Sequence, residues 1–200
     1  VVVRDNKEIE VELSLSNIPL DSVTHEILES NNQKVGYITI SIFAANTYNQ
    51  FEDAINDLKK EKIDKIIIDV RNNSGGYLDA VTDMMELFLK KDKIIYQLEE
   101  KGEKKKIKDE TKESQDFDVI VLINEYSASA SEILAAAFQE SYGAKIVGMN
   151  SYGKGTVQQT KTLDTGGMLK YTTQKWLTPK GNWINDIGIK PDEKVEQNEE

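Results

Sequence analysis

The sequence predicts an α/β fold built on a largely parallel sheet. Residues 65–70 (KIIIDV), 118–123 (DVIVLI) and 145–149 (KIVGM) are short, nearly continuous apolar runs, as strands covered on both faces require. Segments of helical period alternate with them, which is the rhythm of βαβ units. With 200 residues, 38% of them hydrophobic, the chain is long enough to bury one core without staples.

Each element has its own signal. Residues 8–14 (EIEVELS) alternate apolar and polar and read as a strand. Residues 23–29 give a short strand and 35–41 (VGYITIS) a clearer one. In 47–60, Phe51, Ala54, Ile55 and Leu58 recur at helical spacing. The buried strand 65–70 ends in Asn72-Asn73-Ser74-Gly75-Gly76, a chain breaker. Residues 78–90 read as a helix and 93–98 as a strand. Residues 101–116 are charged and read as a solvated hairpin or loop. After strand 118–123 a helix is expected over 129–141, with Ile133, Leu134, Ala137 and Phe138 on one side. Beyond strand 145–149, the stretches Val157–Thr162 and Met168–Trp176 return to strand.

Composition removes several functions. Lys plus Arg is 25 against Asp plus Glu 35, a net charge of −10, which disfavours nucleic-acid binding through a basic face. There is no cysteine, so disulfides, thiol nucleophiles and cysteine–metal sites are excluded. No apolar run reaches the roughly 20 residues of a membrane span. The chain starts at Val1-Val2-Val3 without an initiator Met and reads as a mature or trimmed fragment.

Three loops leave the carboxyl ends of the buried strands: Asn72–Gly76, Asn124–Ser129 and Asn150–Gly155. A parallel sheet with right-handed crossovers gathers such loops on one rim, where open α/β sheets hold their sites. Two readings stand for the middle loop. Ser129-x-x-Glu132 is a capping box that starts a helix. The same serine, among small residues at a helix N-terminus, is also placed as a nucleophile. A serine nucleophile needs a base. The one histidine, His25, lies in a polar stretch far along the chain and reads as a surface residue. Lys154, flanked by glycines on the third loop, is the remaining candidate, and a lysine base must be kept neutral by apolar surroundings. A rival motif overlaps it. Gly148-x-x-x-x-Gly153-Lys154-Gly155-Thr156 is one residue from a phosphate-binding loop. Gly155 stands where a hydroxyl should hold Mg²⁺, and residues 156–160 read as strand rather than helix.

Taken together, Ser127-Ala128-Ser129-Ala130-Ser131-Glu132 and Gly153-Lys154-Gly155-Thr156-Val157-Gln158 resemble the carboxyl-terminal processing peptidases, the tail-specific serine proteases. Gly36-Tyr37-Ile38, Asp69-Val70-Arg71-Asn72-Asn73-Ser74-Gly75-Gly76 and Gly188-Ile189-Lys190-Pro191-Asp192 agree, in order, across residues 10–195. The resemblance implies a Ser-Lys dyad: Ser129 as nucleophile and Lys154, 25 residues on, as base. It gives Gln158 the task of positioning the lysine, and residues i and i+4 of a strand share a face. It sets the oxyanion hole on the N–H groups of Gly75 and Ala130, and it implies no metal or cofactor. Asp69 and Arg71 read as a structural pair shaping the loop.

The fold implied is an α/β, crotonase/ClpP-like core with a mixed, largely parallel sheet, flanking helices and a short N-terminal β segment. Residues 18–200 are expected to be the protease core, and residues 1–17 a remnant of, or bridge from, a missing PDZ domain. The partners implied are protein or peptide substrates with accessible C-terminal tails and a second copy in a homo-oligomer; nucleic acid is not among them. The compartment implied is the cell envelope or extracellular space. Two other functions are carried as alternatives: a catalytically silent binding module on the same fold, and nucleotide binding through Gly148–Thr156.

Overall fold

The computed structural model describes residues 1–11, 20–30, 33–111 and 114–196. At the N-terminus β1 (Val2–Arg4) and β2 (Lys7–Ile9) form a separate exposed hairpin. The strand expected over 8–14 is found only to Ile9, and its residues 12–14 lie outside the described residues, as do residues 12–17 of the expected bridge.

The main sheet has six strands. Strand β3 (Val23–Ser30) pairs antiparallel with β4 (Gln33–Ile40), and β4, β5 (Lys65–Asp69), β8 (Asp118–Ile123), β9 (Lys145–Gly148) and β12 (Glu193–Lys194) then run parallel, in the order β12-β9-β8-β5-β4-β3. The three apolar runs are thus adjacent strands of one sheet, the mixed, largely parallel sheet that the sequence predicts. Their inward residues are fully covered: Ile66, Ile68, Val119, Val121 and Ile146 are all at most 3% exposed.

Helices fill the crossovers. Helix α1 (Thr47–Lys60) buries Phe51, Ala54, Ile55 and Leu58, the four residues picked out by periodicity. Helix α2 (Leu78–Glu86) is shorter than the pattern 78–90. Phe88 and Leu89, just past its end, are still buried, so the apolar pattern continues where the helical hydrogen bonding does not. Helix α3 (Ala130–Ala137) is buried along its whole length. It does not continue to residue 141 as an α-helix: Phe138–Tyr142 widens into a π-turn that stops at Gly143, whose φ is +97°. Phe138 packs edge-on to Phe88 at 5.1 Å and to Tyr142 at 5.6 Å between ring centres.

A second, antiparallel sheet of four strands stands beside the first. It comprises β6 (Ile94–Glu100), β7 (Glu103–Lys108), β10 (Thr156–Thr162) and β11 (Met168–Leu177), in the order β10-β11-β6-β7. The charged stretch after residue 100 is therefore a hairpin strand. Its sequence EKKKIK lies at the sheet edge, where lysines deter pairing with another chain. Among the described residues no helix is long and apolar enough to cross a membrane.

Candidate active site

The three loops at the carboxyl ends of β5, β8 and β9 do meet, and side chains stitch them together. Asn72 N–H donates to Asn124 Oδ1 at 2.9 Å, and Asn124 Nδ2 returns to Asn72 Oδ1 at 2.8 Å. Ala128 N–H donates to the Asn73 carbonyl at 3.0 Å, and Tyr152 N–H to the Ser127 carbonyl at 3.0 Å. The serine run is resolved by burial. Ser127 and Ser131 are 0% exposed, and their hydroxyls donate to the Val70 and Asn73 carbonyls, each at 2.8 Å. They are mortar between loops. Ser129 alone of the three faces open space.

That space is a cavity of about 260 Å³. Ser129, Ala130, Lys154 and Gln158 line it, with Gly76, Lys170 and an apolar wall of Leu78, Ile133, Val157 and Trp176. A larger hollow of about 910 Å³ lies at the opposite edge of the sheet, where β8 and β9 begin. It holds none of the rim residues.

Ser129 sits at φ +56°, ψ −114° as the residue before helix α3. A non-glycine residue there is strained by about 1–3 kcal/mol, and such strain collects where a side chain must be presented. Gly75 explains how the turn fits. A Cβ at Gly75 would stand 2.8 Å from Ser129 Cβ and 3.0 Å from Ala130 N. Only glycine lets the first loop lie against the serine this closely.

The base loop is fixed through its backbone. Gly153 N–H donates to Glu132 Oε1 at 2.6 Å and Lys154 N–H to Glu132 Oε2 at 2.9 Å. The Gly153 carbonyl accepts from Asp186 N–H at 2.8 Å. The Lys154 carbonyl accepts the Trp176 indole N–H at 2.6 Å. Gly155 N–H donates to Asn185 Oδ1 at 3.2 Å, and its carbonyl accepts the Trp183 indole N–H at 2.9 Å. From below, Gly188-Ile189 holds the loop through Ile189 N–H to Ser151 Oγ at 2.6 Å. What remains unengaged is the Lys154 side chain, which among the described residues has neither an ion pair nor a hydrogen bond.

Glu132 is the residue that sequence reasoning undervalued. The expected capping box is present, with Ser129 N–H donating to Glu132 Oε2 at 2.8 Å. But the carboxylate is 0% exposed and also takes Ser151 Oγ at 2.6 Å, besides the two amides of the base loop. One buried carboxylate therefore joins the serine turn to the lysine loop. A carboxylate at a helix N-terminus is in turn favoured by the helix dipole.

Two expectations meet a different geometry. Gly75 N–H donates to Asn73 Oδ1 at 2.8 Å, closing an Asx turn, so it is already satisfied. Gly76 lines the cavity instead, and neither its N–H nor that of Ala130 has a partner among the described residues. Gln158 lines the cavity with Lys154. Lys154 precedes β10, and the β10–β11 register shifts between Val157 and Gln158. Among the described residues no hydrogen bond joins Gln158 to Lys154, or Ser129 Oγ to Lys154 Nζ.

The remaining candidates fall outside the cavity. Asp69 is buried and holds Arg71 bidentately, with Nη2 to Oδ2 at 2.7 Å, while Tyr37 Oη donates to the same carboxylate. Asp69 holds the Arg71 guanidinium's pKa above its usual range; burial first, then Asp69, pushes the Tyr37 phenol up. They shape the first loop. His25 faces Asp57 of α1 at 3.8 Å from strand β3. Thr156 opens a strand, whereas a phosphate loop must open a helix.

The sequence profile of peptidase family S41 matches residues 34–195. The chain is 39% identical over 194 residues to a protein named probable CtpA-like serine protease in Staphylococcus aureus (strain N315), covering 96% of this chain and 38% of that protein. It is also 39% identical over 192 residues to the carboxy-terminal processing protease CtpB of Bacillus subtilis (strain 168), covering 96% of this chain and 40% of that one. The chain thus spans about two-fifths of the length of these relatives. Among solved structures, a photosystem II D1 C-terminal processing protease superimposes with a TM-score of 0.81 at 27% identity, over 90% of this chain and 49% of that one. The profile spans all three rim loops together with the serine turn and the lysine loop, and the chain belongs to peptidase family S41.

Proposed function

We propose that this chain carries the core of a serine endopeptidase that cleaves protein substrates near their C-termini through a Ser129–Lys154 dyad. The observation that carries the reading is the shared cavity. The strained Ser129 and the unpaired Lys154 both line it, and Glu132 binds the backbones of these two residues.

In this reading Ser129 Oγ attacks the scissile carbonyl carbon. Neutral Lys154 takes the hydroxyl proton and passes it to the leaving amine. Water then attacks the acyl-serine, with Lys154 again as base, and releases the new C-terminus. The tetrahedral oxyanion is received by Ala130 N–H at the start of α3 and by Gly76 N–H, each donor worth about 3–4 kcal/mol in comparable sites. Gly75 N–H can serve only if Asn73 Oδ1 releases it. The apolar side chains of Leu78, Ile133, Val157 and Trp176 line the cavity beside the dyad.

A resting arrangement is part of the proposal, because no hydrogen bond yet joins the dyad and such bonds tighten on substrate binding. Tail recognition is assigned by resemblance to a PDZ module, and the compartment by resemblance to the cell envelope or exterior. The test is degradation of casein by the wild-type chain, Ser129→Ala and Lys154→Ala, with folding checked by circular dichroism. Activity lost in both variants with the fold intact supports the dyad. A Lys154→Ala chain that keeps most of its activity removes it.

A further inference from the structure

Resting on that protease reading, we propose that Lys170 is a specificity residue that gives the cleft a preference for substrates bearing a carboxylate beside the scissile bond. Lys170 lies on β11 opposite Thr160 of β10 and lines the same cavity as Ser129 and Lys154. No Asp or Glu lines that cavity, on a chain whose net charge is −10. Its two charged side chains are both lysines, and the dyad uses one of them in neutral form. That leaves Lys170, an exposed residue of β11, as the cation of the cleft.

Its neighbours in the second sheet make the contrast. Glu99 holds Lys104 at 3.9 Å and Lys175 at 3.5 Å. Lys175 also lies 4.4 Å over the Trp183 ring. Lys170 has no ion pair and no side-chain hydrogen bond among the described residues. Lys105, Lys106 and Lys161 of the same sheet also have no ion pair among the described residues, but of these unpaired lysines Lys170 is the one that lines the cavity, where an incoming carboxylate completes it. The cleft's remaining polar groups, Thr156 and Gln158, are neutral and do not compete for that role. Two sources supply the same chemistry: an acidic side chain flanking the scissile bond, or the terminal carboxylate of a short C-terminal tail.

The experiment uses four peptides of one length, carrying Glu or Gln beside the scissile bond and a free or amidated C-terminus. They are assayed with wild type, Lys170→Gln, Lys170→Glu and Lys170→Arg. Wild type is expected to favour the carboxylate in one of the two pairs by roughly fivefold in kcat/KM, through KM, with the preference shrinking as salt rises. Lys170→Gln should bring that ratio near one, Lys170→Glu should invert it, and Lys170→Arg should restore it. Loss of the preference on amidation assigns the terminal carboxylate, and its loss on Glu→Gln assigns the side chain. Equal use of all four peptides by wild type, or a preference that survives in Lys170→Gln, overturns the proposal. Fluorescence anisotropy of the same peptides on Ser129→Ala reads the preference as binding. A failure of the dyad is therefore seen separately from a failure of Lys170.

Discussion

Glu132 and Lys154 are joined through the backbone: the Lys154 N–H donates to Glu132 Oε2 at 2.9 Å, and the same oxygen accepts Ser129 N–H at 2.8 Å. A helix-capping carboxylate is here the distance gauge between nucleophile and base. Glu132→Gln keeps the size but turns one acceptor into a donor aimed at N–H groups. Charge-assisted bonds of this kind are worth about 1.5–3 kcal/mol each. The variant should melt lower and lose at least about tenfold in kcat, with KM little changed, because the dyad is displaced while the cleft walls remain. Steady-state kinetics on one peptide checks the split. An unchanged kcat would show that Glu132 only caps the helix.

The serine run should separate cleanly. Ser127→Ala removes a donor to the Val70 carbonyl and takes the acceptor from the buried Asn124 N–H, at a cost of about 1–3 kcal/mol, and Ser131→Ala removes one of two donors to the Asn73 carbonyl, at about 0.5–1.5 kcal/mol, while a serine-directed fluorophosphonate should still label the chain. Ser129→Ala should abolish labelling without that loss. Ser129→Gly should melt higher than Ser129→Ala, by up to about 1 kcal/mol, since glycine relaxes a φ of +56°. Thermal melts and labelling stoichiometry together decide it.

Gln158→Ala should lower activity less than Lys154→Ala. Gln158 lines the cavity but among the described residues makes no hydrogen bond to the lysine, so its effect is on orientation at most. Equal losses in the two variants would place Gln158 in the chemistry itself.

Activity should rise with pH, because a lysine base works only when deprotonated. EDTA should leave it unchanged. A rate that is flat from about pH 6 to about pH 9, or one lost on chelation, would return the search to carboxylates and metals.

Stability has a separate alkaline limit. Burial is the first cause in pushing up the phenols of Tyr37, Tyr48, Tyr96 and Tyr142, and Tyr48, also bonded to Glu52, reaches about 12. The unfolded chain ionises its tyrosines near pH 10, so it gains first. Stability present below about pH 10 is therefore lost as pH rises toward 12. Tyr48→Phe should soften that fall in melting temperature. A melting temperature that holds level through about pH 11 would contradict the shifts.

How much was legible in the sequence depended on the range of the force involved. Strands β5, β8 and β9 announced themselves through short apolar runs, although one face is fully buried and Ile67, Ile120, Leu122 and Val147 of the other are half-buried. Topology then put Ser129 and Lys154 on one rim. The Glu132 bonds to Ser151, Gly153 and Lys154 were invisible, since Ser-x-x-Glu speaks only of its own helix turn. Trp176 and Trp183 carried a faint signal, as indoles whose N–H needs a partner, but nothing local named the Lys154 and Gly155 carbonyls. Gln158 lines the cavity with Lys154, but whether the two side chains bond depends on rotamers, which residue spacing does not set. Helix α3 ran short because alanine spacing cannot distinguish an α-turn from the wider turn at Phe138–Tyr142.

The clamped backbone of Gly153-Lys154-Gly155 has a consequence for time scales. Surface loops ordinarily exchange their amide protons through small local openings. Here the Gly153 and Lys154 amides can exchange only when Glu132 lets go, which pulls apart the start of α3 as well. Their exchange in deuterated water should therefore track the global unfolding of the core, slow against every other amide of the rim. The lysine's motion is left to its side chain alone. Lys154 is half-buried at the cavity, so the step from rest to engagement is a rotamer change there and needs no folding of the loop that bears it.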